Sequence, residues 1–376
     1  MARIINLVLV LILPFLGVST AHPGEEEKIH LHAARPLHPR TPHISQCRRA
    51  FQDPLFVERT ISRRSAEFHR LRQSRGIVDT VNHNNHNNDK RQLDKLNTYL
   101  SKSHQVKKPF TPSTPPSQLF ADDGECMMAP LVSEGPLYVA GESVRRNLTD
   151  HERGIPLSLD IQVVDAKTCA PIPSAAVDIW SCNTTGIYSG VWTYYTRPGL
   201  DSGYDRSVIN TTALRGIQFT NAEGAANFDT FFPGHYTGRA VHVHVMVHLS
   251  AKTQSNGTIT GGKIAHISQL YFDQALIDTV EKVKPYTENM QNLTVNANDG
   301  LLKITRLSDD PFFRWVMLGD KVEDGLFGYI RLGIDTSADW SVSPAAYRDG
   351  EGGHMNLTGP LGDGSQPPKI PPNPIP

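Results

Sequence analysis

"FFPGHYTGRAVHVHVMVH", residues 231 to 248, is the stretch on which the reading of this chain turns. Val241, Val243, Val245 and Val247 alternate there with His242, His244, Met246 and His248. Successive side chains of a strand leave opposite faces, so the valines line one face and the imidazoles stand in a row on the other. The valine face asks for a core, whereas the histidine face asks for a different reason to exist. Outward from this strand, beyond residue 130, come further short alternating runs, "LSLDIQVVD", "AAVDIWSC", "GAANFDTFF" and "ISQLYFD", set apart by turn residues. Such runs at roughly ten-residue spacing predict an all-β fold, a β-sandwich or barrel rather than βαβ units. "DDPFFRWVMLGDKVEDGLFGYIRLGID" closes the pattern, which places one globular domain over residues 126–345 and a Gly/Pro-rich tail over 346–376.

The chain ahead of that domain has another character. Residues 1–21 combine Arg3, an apolar run from Ile4 to Val18 and small residues at Ser19 and Ala21. This is the build of a cleavable signal peptide, with a mature start near His22 and an extracellular, secreted protein as the consequence. The run is shorter than the ~20 residues of a spanning helix, and the polar C-terminus is not a lipid-anchor signal, so no stable membrane association is expected. N-x-S/T sequons at Asn147, Asn183, Asn210, Asn256, Asn292 and Asn356 fit a secreted glycoprotein. Residues 22–125 read as a basic helical segment followed by a low-complexity linker. Eight arginines fall between Cys47 and Arg75, with Val57, Ile61, Phe68 and Leu71 at helical spacing, which predicts one or two basic amphipathic helices. "NHNNHNND", the dibasic Lys90-Arg91 and "KKPFTPSTPPSQ" then form a polar, proline-rich spacer.

With 37 basic against 38 acidic residues, no long-range field draws the chain to nucleic acid. Partners should be small molecules, with a homodimer left open. The four cysteines, Cys47, Cys126, Cys169 and Cys182, allow two disulfides in three connectivities, and their spacing is unlike that of a zinc site. Pro171 and Pro173 mark a turn between the strands "LSLDIQVV" and "AAVDIWSC". Cys169 then sits at the turn and Cys182 at the far end of the second strand, up to ~30 Å away against the ~6 Å between Cα atoms that a disulfide needs. These two should not pair.

Imidazoles at i and i+2 of a strand leave one face a few ångströms apart and are able to bind one metal together. Tyr236 follows the Pro233-Gly234 turn just before them, Arg239 lies three residues before His242, and "CNTTGIYSG" offers Tyr188. With "EGPLYV" at 134, "TCAPIPSAAVDIWSCNTTGIYSG" at 168, "LRGIQFTNAEGAANFDTFFPGHY" at 214, "RAVHVHV" at 239 and "QLYFD" at 269, in that order over about 200 residues, the chain resembles the intradiol ring-cleavage dioxygenases, in their secreted fungal-type form. These are non-haem Fe(III) enzymes that cleave catechols between their two hydroxyls.

The resemblance implies a β-sandwich catalytic domain in which Tyr188, Tyr236, His242 and His244 bind Fe(III). It also implies a catechol-type substrate, O2 as co-substrate and a muconate-type product. Tyr236 becomes the ligand that substrate displaces, and Arg239 the group that stabilises charge on the substrate ring. Gln269 corresponds to a polar residue behind the ligands, or is a structural glutamine. Tyr236 and His242 are only six residues apart, shorter than in the intracellular members, so the resemblance does not extend to the shape of the substrate mouth.

Elementary chemistry agrees, because Fe(III) is a hard cation and two tyrosinates with two neutral imidazoles select it over zinc or calcium. His248 lies about 13 Å beyond His244 along a strand, too far for the same metal, and reads as a surface or packing residue. His235 faces away from its neighbour Tyr236, while Trp180 and Phe232 read as core. One rival is a secreted non-catalytic β-sandwich that binds phenols or a partner protein. Another is a copper site at an N-terminal His22, which requires that histidine to pack on the sandwich.

Overall fold

In the computed structural model the described residues are 47, 49–77, 99–106, 134–192, 206–304 and 310–359. The expected signal peptide, His22, the His/Asn tract, Lys90-Arg91, Cys126 and the proline-rich end of the chain lie outside them. The strands are β1 (Val139–Ala140), β2 (Pro156–Asp165), β3 (Ala176–Trp180), β4 (Arg215–Phe219), β5 (Ala225–Phe231), β6 (His242–Leu249), β7 (Lys252–Thr253), β8 (Ile259–Thr260), β9 (Lys263–Tyr271), β10 (Arg314–Met317), β11 (Leu326–Ile334), β12 (Ala346–Asp349) and β13 (Gly352–Met355). Helices α1 (Pro54–Ser74), α2 (Gln274–Val280) and α3 (Gly300–Ile304) complete the main elements. The fold is all-β, with two four-stranded sheets in the orders β10-β11-β2-β5 and β4-β3-β6-β9. No helix among the described residues is long and apolar enough to cross a membrane.

The alternation read in the sequence sets the packing of the two sheets. Val243, Val245 and Val247 of β6, with Val177 and Ile179 of β3 and Leu270 of β9, face Leu157, Leu159, Ile161 and Val163 of β2 and Leu332 and Ile334 of β11 in one core. The partners of β6 are β3 on one side and β9 on the other, with Trp180 opposite His244 and Gln269 opposite it across the second ladder. β2 and β3, which the sequence joins as neighbours through a proline turn, lie in opposite sheets. Their connection crosses the sandwich instead of closing a hairpin.

β11 is buried on both faces, because α1 lies over the outer side of its sheet. Ile61, Phe68 and Leu71 of this single basic helix pack on Val316, Phe327 and Tyr329. The Asp53 side chain accepts from Leu55 N and Phe56 N, and Pro54 occupies the first turn, where its missing N–H costs nothing. Cys47 is disulfide-bonded to Cys169, which ties the start of the helical segment to the β2–β3 connection. Cys182 is buried and free of any disulfide, so Cys169 and Cys182 do not pair. Residues 99–106 also belong to the packed body, Gln105 bridging to Trp315. Beyond residue 345, β12 pairs with β1 and β13 in a third sheet, so strand structure continues into the stretch read as tail.

Two adjacent arginines of α1 converge on one carboxylate of β2. Arg63 and Arg64 each reach Asp160 Oδ1 at 2.9 Å, and the Asp160 and Arg64 side chains have no solvent exposure. Burial alone would raise the Asp160 pKa, but the two guanidinium groups hold it well below the usual carboxylate range. A carboxylate depressed on folding adds stability that is complete above its unfolded pKa and is lost as pH falls through the folded value. Asp160→Ala leaves two cations facing an empty site, and is expected to destabilise the protein by about 3–5 kcal/mol at neutral pH, read from denaturant unfolding. The deficit relative to wild type should shrink toward strongly acidic pH.

Candidate metal centre

β6 delivers two of the candidate ligands and the flanking loops deliver the others. His242 and His244 leave the face of β6 opposite the valines, Tyr236 comes from the β5–β6 connection, and Tyr188 comes from the loop after β3. All four side chains are buried. The Asn183 carboxamide shapes the Tyr188 loop, its Oδ1 accepting from Thr185 N at 3.1 Å and Ile187 N at 3.0 Å. The Tyr236 turn closes on itself through a bridge between Tyr236 and Arg239.

Four rings meet edge to face in a closed circuit. Tyr188 meets Tyr236 at 5.8 Å and 71°, and Tyr236 meets His242 at 5.8 Å and 67°. His242 meets His244 at 4.7 Å and 70°, and His244 returns to Tyr188 at 6.1 Å and 68°. The donor atoms point inward: His242 Nε2 is 3.0 Å from His244 Nε2 and 3.4 Å from Tyr236 Oη. Tyr188 Oη is buried, faces Tyr236, and has no hydrogen-bond partner at ordinary distance among the described residues. A phenol oxygen orphaned beside two imidazole nitrogens and a second phenol fits a metal cation at their centre. Groups of three or more His, Cys, Asp or Glu suited to a metal are absent among the described residues, so any such centre depends on its tyrosines.

The protonation states suit ligation. The His242 Nδ1–H donates to Ala240 O at 2.6 Å, which leaves the lone pair on Nε2. Burial, reinforced by the Arg239 charge, lowers the His242 pKa to about 3, so the ring is a neutral donor at any ordinary pH. Burial drives the Tyr188 pKa well above its ordinary value, and only a strong Lewis acid would convert that phenol to phenolate. The His244 ring stacks on Trp180 at 4.7 Å and 6°, and Gly135 lies against its Cε1 edge. A Cβ at Gly135 would come within 3.1 Å of His244 Cε1, and the residue has φ +72°, so glycine is required twice over.

Arg239 is fully buried beside these ligands. Its Nε donates to Asp299 Oδ2 at 2.9 Å, and its Nη2 donates to Gln269 Oε1 and to Tyr271 Oη. Asp299 also accepts from Ala240 N at 2.8 Å and from Leu302 N at 2.7 Å. Burial works against the Asp299 charge, but Arg239 and these donors hold its pKa below the ordinary value. The guanidinium is therefore a fixed positive group whose partner is an interior carboxylate. Sequence reasoning missed Asp299, because its partner is 60 residues away in the chain. It also missed Gly135 and Tyr271; Trp180 is core, as read, and from that core its ring also backs His244.

The remaining histidines divide as spacing suggests. His248 is buried next to Asp178, 3.9 Å away, and is remote from the four donors along β6. The His235 imidazole turns from Tyr236 toward Glu281 Oε1 at 2.8 Å and Gln291 O at 2.9 Å, which secures the Tyr236 turn from behind. Phe232 belongs to the core between the sheets.

No family model matches the chain, and no curated protein matches it. Solved structures similar to it are intradiol ring-cleavage dioxygenases. One from Tetranychus urticae is 29% identical over 57% of this chain and 98% of its own, with a TM-score of 0.47. The dioxygenase domain of a carbohydrate-binding fusion protein from Streptomyces sp. SirexAA-E is 22% identical over 55% of this chain and 97% of its own, with a TM-score of 0.35. Catechol 1,2-dioxygenase from Pseudomonas arvilla C-1 is 19% identical over 59% of this chain and 68% of its own, with a TM-score of 0.35.

The two faces of β6 should separate in mutants. His242→Ala and His244→Ala are expected to keep a cooperative thermal melt while losing bound metal, because they remove donors outside the main core. Val243→Asp should fail to fold or melt far lower, since an unpartnered buried carboxylate costs several kcal/mol, a large part of a domain's stability. Thermal melts with metal analysis on the three variants make the comparison.

Proposed function

We propose that the protein is an extracellular Fe(III)-dependent intradiol dioxygenase that inserts both atoms of O2 into a catechol-type ring and yields a muconate-type product. The closed circuit of Tyr188, Tyr236, His242 and His244 around converging oxygen and nitrogen donors carries the reading. Two anionic oxygen donors and two neutral nitrogens suit a hard trivalent cation. Secretion rests on the signal-like N-terminus and the six sequons.

Bound ferric iron would supply Lewis-acid chelation of the two catechol oxygens and draw electron density from the ring. The protein's own groups then have separate tasks. Tyr236 is the ligand that substrate would displace, its phenolate Oη taking one of the two protons that a catechol loses and hydroxide from solvent taking the other. Tyr188, His242 and His244 stay in place, the last stacked on Trp180 with Gly135 at its edge. Arg239, fixed by Asp299, Gln269 and Tyr271, stabilises negative charge that develops on the substrate ring. Burial of the whole centre excludes water and strengthens each of these electrostatic terms.

Purified protein should carry about one iron per chain and consume O2 with some members of a panel of catechol, hydroxyquinol and plant-derived diphenols, as ferric sites of this donor type do. Arg239→Met should retain iron and lose about two or three orders of magnitude in turnover, the usual loss when one charge-stabilising donor is removed. Zinc or copper at full occupancy, or iron without O2 uptake on any diphenol, would contradict the proposal and favour a binding role for the sandwich.

A further inference from the structure

A second buried electrostatic device lies on the Arg239 side of the metal centre and takes no part in the chemistry above. His104, in the short segment 99–106, is almost wholly buried between two carboxylates from separate parts of the chain. Its Nδ1–H donates to Asp273 Oδ1 and its Nε2–H donates to Asp310 Oδ2 at 2.8 Å. The His104 backbone N–H adds a bond to Asp273 Oδ2 at 2.8 Å, and Trp315 Nε1 donates to the same oxygen at 3.0 Å. Lys102 of the segment reaches Asp310 Oδ2 at 3.2 Å. Beyond this cluster the segment is held by Val106 N to Trp315 O at 2.8 Å, Trp315 N to His104 O at 3.1 Å, and packing of Tyr99 and Leu100 on Ala240, Tyr271, Leu302 and Phe312.

The contacts run on toward the metal centre. The His104 ring stacks on Phe312 at 5.1 Å and 12°, and Phe312 packs on Tyr271 at 6.0 Å. Tyr271 hydrogen-bonds Arg239 and lies 5.9 Å from the His242 ring. The segment is thus the outer cover of the wall that carries the fixed guanidinium.

We propose that residues 99–106 form a strap latched over the Arg239 wall by His104, closed while the imidazole is a cation bridging Asp273 and Asp310 and released when it becomes neutral. Only the imidazolium has two N–H donors for two carboxylates; a neutral ring must turn a lone pair toward one of them. Burial disfavours the cation, but the hydrogen bonds to Asp273 and Asp310 outweigh it, and the His104 pKa is raised above its ordinary value. Stability from a raised group is complete below the unfolded pKa and is lost as pH rises through the folded one. For Asp310 burial is again opposed, by His104 and Lys102, and its pKa is lowered, so its share is complete above the ordinary carboxylate value and lost below it. The latch is therefore closed between the ordinary carboxylate and imidazole values and opens as pH rises through the raised value of His104.

Hydrogen exchange on the full chain tests this without reference to catalysis. Protection factors for peptides spanning 99–106, taken relative to β6 peptides, should fall as pH rises above the ordinary imidazole value of about 6.5 in the wild type, by about tenfold for each unit that the folded pKa lies above the unfolded one. His104→Gln should show low strap protection over the same rise in pH with no such fall, and Asp310→Asn should shift the fall to lower pH. The latch is overturned if wild-type strap protection is independent of pH, or if His104→Gln reproduces the wild-type fall. Neither substitution touches Tyr188, Tyr236, His242 or His244, so iron content of the same samples reports separately on the metal centre.

Discussion

Everything in this molecule hangs on the two-residue period of β6. Because side chains alternate across a strand, a single eight-residue element builds the middle of the core with its valines and the candidate metal centre with its histidines. A slip of one residue in its pairing with β3 or β9 would bury imidazoles among aliphatic side chains and turn valines toward the donors. The same hydrophobic energy that holds the sheets together thereby sets the positions of the two candidate histidine ligands. The two histidines stand on a rigid strand, whereas Tyr188 and Tyr236 stand on the loops beside it.

Charge is handled around this strand by burial with compensation. Arg239 faces Asp299, Arg63 and Arg64 face Asp160, and His104 faces Asp273 and Asp310, each in the interior and each joining parts of the chain far apart in sequence. Desolvation alone would discharge these groups, and the partner's field keeps them ionised. The four candidate ligands form the exception. His242 is neutral with a pKa lowered to about 3, and the pKa of Tyr188 is raised, so the centre carries donor atoms without compensating cations among the four. Turning the two buried phenols into phenolates would call for a cation among them.

Features that depend on local pattern were legible in the chain. The alternation of 241–248 announced both faces of β6, the amphipathic spacing of Val57, Ile61, Phe68 and Leu71 announced the helix, and the distance between Cys169 and Cys182 excluded their pairing. Partnerships across long stretches of chain were not legible. Nothing near Asp299 marks it as the counterion of Arg239, and nothing in "SKSHQ" shows that His104 will sit between two aspartates. The Cys47–Cys169 bond spans 122 residues and needed the fold to reveal it. Trp180 looked like any buried aromatic, because stacking on His244 depends on the β3–β6 register, which periodicity alone does not supply.

The visible absorption spectrum of purified protein loaded with Fe(III) tests the donor set most directly, since it reports tyrosinate oxygen bound to ferric iron and nothing else in the chain absorbs there. Expected is a broad charge-transfer band that colours the protein red-brown, is weakened in Tyr236→Phe and in Tyr188→Phe, and is absent from the double variant. A colourless ferric protein, or a band that survives loss of both tyrosines, would contradict the assignment of Tyr188 and Tyr236 to the metal.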